Sequence, residues 1–356
     1  MSRLFSLLAL ITLMLLVLHL PLESGATLSL SLGFLMLGGF LLGKLARLAG
    51  LPGITGYLFA GIIFGPYAAG FLDSRAVEGL SPINSFALGL IALTAGGEVD
   101  LRKVRERLAS YAMITGGQVL VTLAGTGTVM FLTARWFGPG LSTADCLVFG
   151  LLFGVSSLTT SPAATVAVIV ESGARGRLSE LALGITILKD ILVVVCFAIG
   201  LAAGVQLLGL EGAGDGGLAL KLAREIGGSA AAGVLLAGVV LLWMRHVRTE
   251  LPLFIIAVSF LTSELAAHLH LHTLLICMCA GLLINNLSNR GREFVEAIER
   301  GALPIYVVFF AIAGARINLG RLAAGWELAA ALVLSRTLFV WLGATLGARA
   351  AGESPA

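Results

Sequence analysis

The chain has 356 residues, of which 58% are hydrophobic and only 12% are charged, and its formal net charge is +3. A mean hydropathy of +1.00 excludes a soluble globular domain. The small net charge, without basic clusters interleaved with aromatic residues, excludes nucleic acid as a partner. The four cysteines lie inside apolar runs without CxxC spacing, which favours packed thiols over metal ligands or disulfides, and the sequence predicts no cofactor.

Apolar segments long enough to cross a bilayer recur along the whole chain. The first of them is ambiguous, because residues 1–26 resemble either an extra N-terminal span or a signal peptide. The pattern predicts an all-α membrane protein built as a multi-span helix bundle. The twelve predicted spans are 5–20, 28–49, 54–72, 83–97, 108–136, 144–170, 181–208, 226–244, 251–269, 273–287, 303–318 and 326–347.

Lysine and arginine are distributed unequally between the two sets of alternate loops. With the twelve spans in place, fifteen basic residues fall on one side and six on the other. The positive-inside rule makes the richer side cytoplasmic. We therefore predict a multi-pass protein of the inner (plasma) membrane with a cytoplasmic C-terminus and the lipid bilayer as its surroundings.

The span 144–170 is interrupted near its middle by Thr159, Thr160, Ser161 and Pro162. Proline in a helix interior removes a hydrogen bond and clashes with the preceding turn. In hydrocarbon such a break is tolerated where protein or a water-filled cavity satisfies the freed backbone groups, and secondary transporters build ion sites from such broken helices. The alternative is a simple kink without any function.

Three charged residues share the depth of this break. At 1.5 Å per residue, Ser161 lies roughly 15 Å from the cytoplasmic end of its span, and Asp190 lies about as deep in the next span. Arg336, entering from the outside, also reaches about mid-bilayer. Lys189 precedes Asp190 but should face a different surface, because adjacent helix residues point about 100° apart. Ionisable residues at this depth are costly and indicate a functional site.

This group of residues has the chemistry of a cation and proton site. A carboxylate at mid-membrane is stable either when protonated or when ionised with a cation beside it, so proton and cation compete for Asp190. The hydroxyls of Thr159, Thr160 and Ser161 and the carbonyls freed by Pro162 are hard oxygen ligands. They suit Na⁺ or K⁺ as the transported ion, and the sequence predicts no other metal. A basic side chain can balance the dipoles of the two half-helices.

Each of the two basic residues at the site has two possible roles. Arg336 is predicted to balance the helix ends at the break, against the alternative of a packing residue that snorkels to an interface. Lys189 is predicted to balance charge at Asp190, against the alternative that it carries a proton itself. If Lys189 carries a proton, the number of charges exchanged changes.

The residues 51–66, LPGITGYLFAGIIFGP, resemble an early helix of the monovalent cation:proton antiporter-2 family, which includes the Kef-type and Nap-type exchangers. Residues 97–101, GEVDL, and 309–314, FFAIAG, are similar to two further motifs of that family. Thr160, Ser161 and Pro162 resemble its first crossing helix, Asp190 its ion-binding aspartate, and Arg336 its basic-residue helix. Lys189 departs from the family, which has Asp, Asn or Gln there.

The resemblance implies a sodium/proton-antiporter inverted-repeat fold and a homodimer with a scaffold domain and a mobile core domain. The exchanger domain would be 27–350, with a core half at 108–208, scaffold and second-half helices at 27–97 and 226–350, and a tail at 351–356. Compared with the family, the fold is expected to be C-terminally incomplete by two helices, which would leave the break without its usual partner.

The resemblance makes exchange of a monovalent cation for protons the expected activity. One alternative is a truncated or degenerate relative without transport of its own. Another is a channel-like K⁺ efflux protein in the same fold. An enzyme is not expected: Asp190 is the only aspartate at mid-depth, whereas an intramembrane aspartyl protease needs two, and HExxH and GxSG are absent.

Overall fold

The computed structural model describes residues 24–138, 140–174, 176–208, 217–247 and 250–353, together with Leu8, Ala9 and Thr12. Most of the segment 1–26 and the end of the tail, 354–356, lie outside the described residues. Within them every regular element is an α-helix, which confirms the predicted all-α class. The helices are α1 (Ser24–Leu48), α2 (Gly53–Phe64), α3 (Ser74–Gly79), α4 (Ser81–Gly97), α5 (Leu101–Glu106), α6 (Leu108–Phe137), α7 (Thr143–Ser156), α8 (Pro162–Ser172), α9 (Arg177–Leu207), α10 (Gly217–His246), α11 (Leu251–Leu269), α12 (Thr273–Leu287), α13 (Gly291–Ala315), α14 (Leu319–Ala324) and α15 (Trp326–Ala350).

Several of these helices have the length and composition of membrane spans. Among the described residues, five helices are long and apolar enough to cross a bilayer, within α1, α6, α10, α11 and α15. Helix α13 becomes a sixth if its two parts, Gly291–Ile298 and Leu303–Ala315, form one span bent by 59°. Pro304 follows this bend, and its ring clashes with the carbonyl four residues earlier. The chain is therefore a multi-pass membrane protein.

The described helices form two compact units. The first contains residues 1–98, 163–175 and 229–323, and its buried centre includes Leu35, Ala60 and Ile312. In this unit α2 and α13 cross with their backbones in contact. A β-carbon at Gly61 would lie only 1.9 Å from the carbonyl oxygen of Ala311. Glycine is needed there because helices in lipid gain their association energy from such close packing.

The second unit contains residues 99–162, 176–228 and 324–356, and α6 is its central helix. On one side α6 meets α15, where a β-carbon at Gly117 would lie 2.7 Å from the carbonyl oxygen of Gly343. On another side it meets α7, where a β-carbon at Gly150 would lie 2.6 Å from the carbonyl oxygen of Gly127. These glycine contacts fix how far each helix is shifted along its neighbour.

Glu353 joins three helix ends within the second unit. Its carboxylate accepts a hydrogen bond of 2.9 Å from the Ser110 hydroxyl near the start of α6, and another from the guanidinium of Arg177 at the start of α9. The hydrogen bonds from Arg177 and Ser110 lower the pKa of Glu353 below its ordinary value of 4.5. The N-terminal ends of α6 and α9 thus meet the C-terminal end of α15.

Candidate functional site

The predicted interruption of the span 144–170 is present. Helix α7 ends at Ser156, residues 157–161 are not helical, and α8 begins at Pro162. Pro162 occupies the first helical position, where its missing N–H group costs nothing. The last turn of α7 closes with a hydrogen bond of 3.0 Å from the Leu158 amide to the Val155 carbonyl. The carbonyls of Phe153 and Ser156 accept hydrogen bonds from the amides of Ser157 and Thr159, so the end of α7 is closed by the residues that follow it.

Arg336 of α15 bonds two carbonyls of the non-helical segment that follows α7. Its Nε donates to the Ser157 carbonyl at 3.1 Å, and its Nη2 donates to the Thr159 carbonyl. The C-terminal end of a helix carries partial negative charge, so a guanidinium there is favourable. All three residues belong to the second unit. One planar side chain thus bridges the helix end and the non-helical segment that follows it.

The hydroxyl-bearing residues of the break differ in exposure. Thr159 and Ser161 are exposed, whereas Thr160 is partly buried. The Oγ1 of Thr160 is fully buried and has no hydrogen-bond partner within the part of the chain that the structure describes. This hydroxyl oxygen therefore has no competing protein contact there.

Lys189 and Asp190 both lie in α9, within the second unit. Lys189 is only 1% exposed and is among the largest fully buried side chains of the described residues. It lies one helical turn beyond Ile185, which packs with Tyr111 of α6. The side chain of Asp190 lies outside the described residues, so its predicted distance from the break stays a prediction.

The sequence interpretation missed a second set of contacts, at the far end of α8. Glu171 accepts a hydrogen bond from the guanidinium of Arg47 and another, of 2.7 Å, from the amide of Gly53 at the start of α2. Arg47 also donates to the Tyr57 hydroxyl at 2.9 Å. Glu171 therefore caps α2 and holds the half-helix that begins at Pro162. No local pattern signals a pair 124 residues apart in the chain.

Three threonines of α6 were missed as well: Thr115, Thr122 and Thr126 are 1%, 0% and 0% exposed. Their hydroxyl oxygens have no hydrogen-bond partner among the described residues. The spacing of seven and four residues, which places them on one face of a helix, was the available signal. Threonine in an apolar helix is ambiguous, because its hydroxyl usually bonds the carbonyl four residues earlier.

The whole membrane domain matches one protein family. The family model described as "Sodium/hydrogen exchanger, transmembrane" matches residues 27–352. The chain belongs to the sodium/hydrogen exchanger family. The broken helix and the surrounding bundle are thus the transmembrane domain of an exchanger, and the relatives of the chain support cation:proton exchange as its activity.

Two members of known name are similar in sequence to this chain. The chain is 25% identical over 333 residues to the Na(+)/H(+)-K(+) antiporter GerN of Bacillus cereus, covering 90% of this chain and 80% of GerN. It is 26% identical over 281 residues to the Na(+)/H(+) antiporter NhaP of Pseudomonas aeruginosa, covering 75% of this chain and 64% of NhaP. Both relatives are antiporters by name.

A solved structure shares the fold. The sodium proton antiporter MjNhaP1 from Methanocaldococcus jannaschii, at pH 8, superimposes with a TM-score of 0.62 and 20% sequence identity. The match covers 90% of this chain and 79% of MjNhaP1. The fold of the chain is therefore that of a sodium/proton antiporter, as the resemblance implied.

Proposed function

We propose that this exchanger moves a monovalent cation, Na⁺ or K⁺, in one direction and protons in the other, with both competing for Asp190. The contact between Arg336 and the carbonyls of Ser157 and Thr159 carries the proposal. A guanidinium that bonds the carbonyls just beyond α7 stabilises the break. The buried hydroxyl of Thr160, without a partner among the described residues, stays available to an ion.

Competition at one carboxylate is sufficient for coupled exchange. When Asp190 is protonated it is neutral and has little affinity for a cation, and when it is ionised a cation compensates its charge. If the site opens to each side of the membrane in turn, each cycle carries a cation one way and a proton the other. The side chain of Asp190 needs only to exchange one positive charge for another.

The oxygen atoms of the break would complete the coordination of the cation. Thr160 Oγ1 is the best placed of them, because it is buried and without a protein partner among the described residues. Thr159 and Ser161 would add hydroxyl or carbonyl oxygens of the same hard character, which Na⁺ and K⁺ both accept. Buried Lys189 would balance charge next to Asp190, while Arg336 would hold the helix end.

The wider setting is part of the same proposal. The chain would work as a homodimer in the inner (plasma) membrane, with its C-terminus in the cytoplasm. K⁺ is included beside Na⁺ because the name of GerN, a relative that aligns with 90% of this chain, includes both ions. Two alternatives remain, a channel-like K⁺ efflux protein and a relative without independent transport.

Cation-driven pH change in vesicles that contain the purified full chain tests the proposal. The assay compares Na⁺, K⁺ and Li⁺ as the driving ion. We expect Na⁺ or K⁺ to drive proton movement in the wild type and not in Asp190→Asn, because an amide cannot release a proton. Asp73→Asn is the matched control: Asp73 accepts a hydrogen bond of 2.6 Å from the Ala76 amide, and asparagine caps a helix equally well.

Each alternative predicts a different result in the same vesicles. K⁺ flux without any pH change would indicate a channel, and the absence of both would indicate a relative without transport. Proton movement that persists in Asp190→Asn would contradict the assignment of the shared carboxylate.

A further inference from the structure

The buried threonines of α6 differ from the other threonines of the same helix. Thr128 and Thr133 each donate a hydrogen bond of 2.7 Å to the carbonyl four residues earlier. Thr115, Thr122 and Thr126 make no such bond within the described residues, although they are buried. A buried polar group without a partner is costly and calls for a bound water or ion as its explanation.

The three threonines lie on the face of α6 between the directions of α9 and α7. Tyr111 marks the direction of α9, because a β-carbon at Gly184 would lie 2.5 Å from its ring. At about 100° per residue, Thr122, Thr115 and Thr126 lie roughly 20°, 40° and 60° around α6 from Tyr111. The residues that meet α7, such as Gly127, lie further around in the same sense.

Thr122 lies within one helical turn of the break. Helices α6 and α7 are antiparallel, because Leu123 lies against Gly154 and Gly127 lies against Gly150. Continuing this register, Thr122 comes level with Val155, two residues before the break begins at Ser157.

The register of α15 against α6 places Arg336 at the same level. Gly117 lies against Gly343 and Gly347, while Gly125 lies against the ring of Phe339. These two helices are therefore antiparallel as well, and Arg336, about one turn before Phe339, comes level with Thr126. Thr122, near the level of the end of α7, and Thr126, at the level of Arg336, thus lie about one helical turn apart in the second unit.

We propose that Thr122 and Thr126 form a further wall of the cation site and bind the monovalent cation together with its remaining hydration water. Thr115, about 10 Å nearer the N-terminal end of α6, extends the same row of hydroxyls towards the helix end where Glu353 lies. This inference rests on the proposed function, because it takes the transported cation as the ligand.

Valine substitution tests the proposal, since valine has nearly the shape of threonine without the hydroxyl. If these hydroxyls bind the cation, Thr122→Val combined with Thr126→Val should raise the apparent KM for the cation about tenfold, with the maximum rate within about twofold of wild type. Thr128→Val is the control: Thr128 lies on the same helix but is exposed and bonded to its own helix, so its KM should not change. Serine at both positions keeps the hydroxyl and should preserve the wild-type KM.

A binding measurement separates this inference from the proposed function. A cation that binds the folded chain raises its thermal midpoint, whether or not transport occurs. In detergent, Na⁺ or K⁺ should raise the midpoint of wild type and Thr128→Val, and should raise that of the double valine variant much less. An unchanged cation-induced shift in the valine variant, or no shift in wild type, would overturn the inference. Loss of transport alone, with the shift intact, would count against the proposed exchange only.

Discussion

Replacing Arg336 with glutamine removes the positive charge at the end of α7 together with its bidentate contact. The carbonyls of Ser157 and Thr159 lose their guanidinium donor, and Ser157 is only 2% exposed. Glutamine is shorter and neutral, so at most one weak hydrogen bond can replace the two. The end of α7 and the segment that follows it would then be held less firmly to α15.

The size of the effect follows from the contacts. A hydrogen bond to a charged group contributes about 1.5–3 kcal/mol. Part of the Arg336 side chain is exposed, so screening reduces this figure, and we expect Arg336→Gln to lose about 2 kcal/mol for both bonds together. Arg336→Lys keeps the charge but not the planar fork and should lose about half as much. A loss of about 2 kcal/mol corresponds to roughly a thirtyfold change in an equilibrium constant.

Thermal unfolding in detergent and cation-driven proton movement in vesicles measure the two consequences. Arg336→Gln should lower the thermal midpoint by about 4 °C and reduce the exchange rate at least tenfold, with Arg336→Lys between it and wild type. Arg349→Gln is the matched control, because Arg349 lies in the last turn of the same helix and is exposed. If Arg336→Gln behaves like Arg349→Gln in both assays, the guanidinium does not support the break and our reasoning is wrong.

Three further substitutions test the packing around the site. Glu353→Gln should lose stability relative to wild type at neutral pH, because the hydrogen bonds from Arg177 and Ser110 lower the folded-state pKa of Glu353. The difference should vanish as pH falls below the ordinary pKa of 4.5 and through the lowered folded-state pKa, and persistence at low pH would exclude the Arg177 contact as its source. Gly61→Ala should lower the thermal midpoint by several degrees, since its β-carbon meets the Ala311 carbonyl, and an unchanged midpoint would disprove the close crossing. Glu171→Gln should cost about 1 kcal/mol by the same measurement, because the amide keeps the cap on α2 but loses the ion pair, and a gain in stability would contradict that role.

The break was predictable because its cause is local. Pro162 cannot continue a helix from the preceding turn, and the polar residues before it fit poorly into an apolar span. Span boundaries and a rise of 1.5 Å per residue also predict that Arg336 reaches the depth of the break. In the structure Arg336 contacts Ser157 and Thr159. The long helix α6, Leu108–Phe137, lies within a residue of the predicted span 108–136.

Contacts between distant segments could not be predicted in the same way. Arg47 and Glu171 each look like ordinary charges at the ends of apolar segments, and only the folded chain brings them together. The role of the α6 threonines could not be predicted either, because the sequence does not show which helix their face meets or whether their hydroxyls bond their own backbone. The Gly127 and Gly125 contacts with neighbouring helices supply that register.

The pH dependence of the apparent cation affinity tests the competition at Asp190 most directly. The measurement is the KM for Na⁺ and for K⁺ in vesicles that contain the full chain, determined at a series of pH values. If proton and cation share one carboxylate, KM should rise about tenfold for each unit of pH on the acid side, while the maximum rate at saturating cation stays constant. A KM that is independent of pH, with a maximum rate that falls instead, would show that proton and cation bind at separate sites.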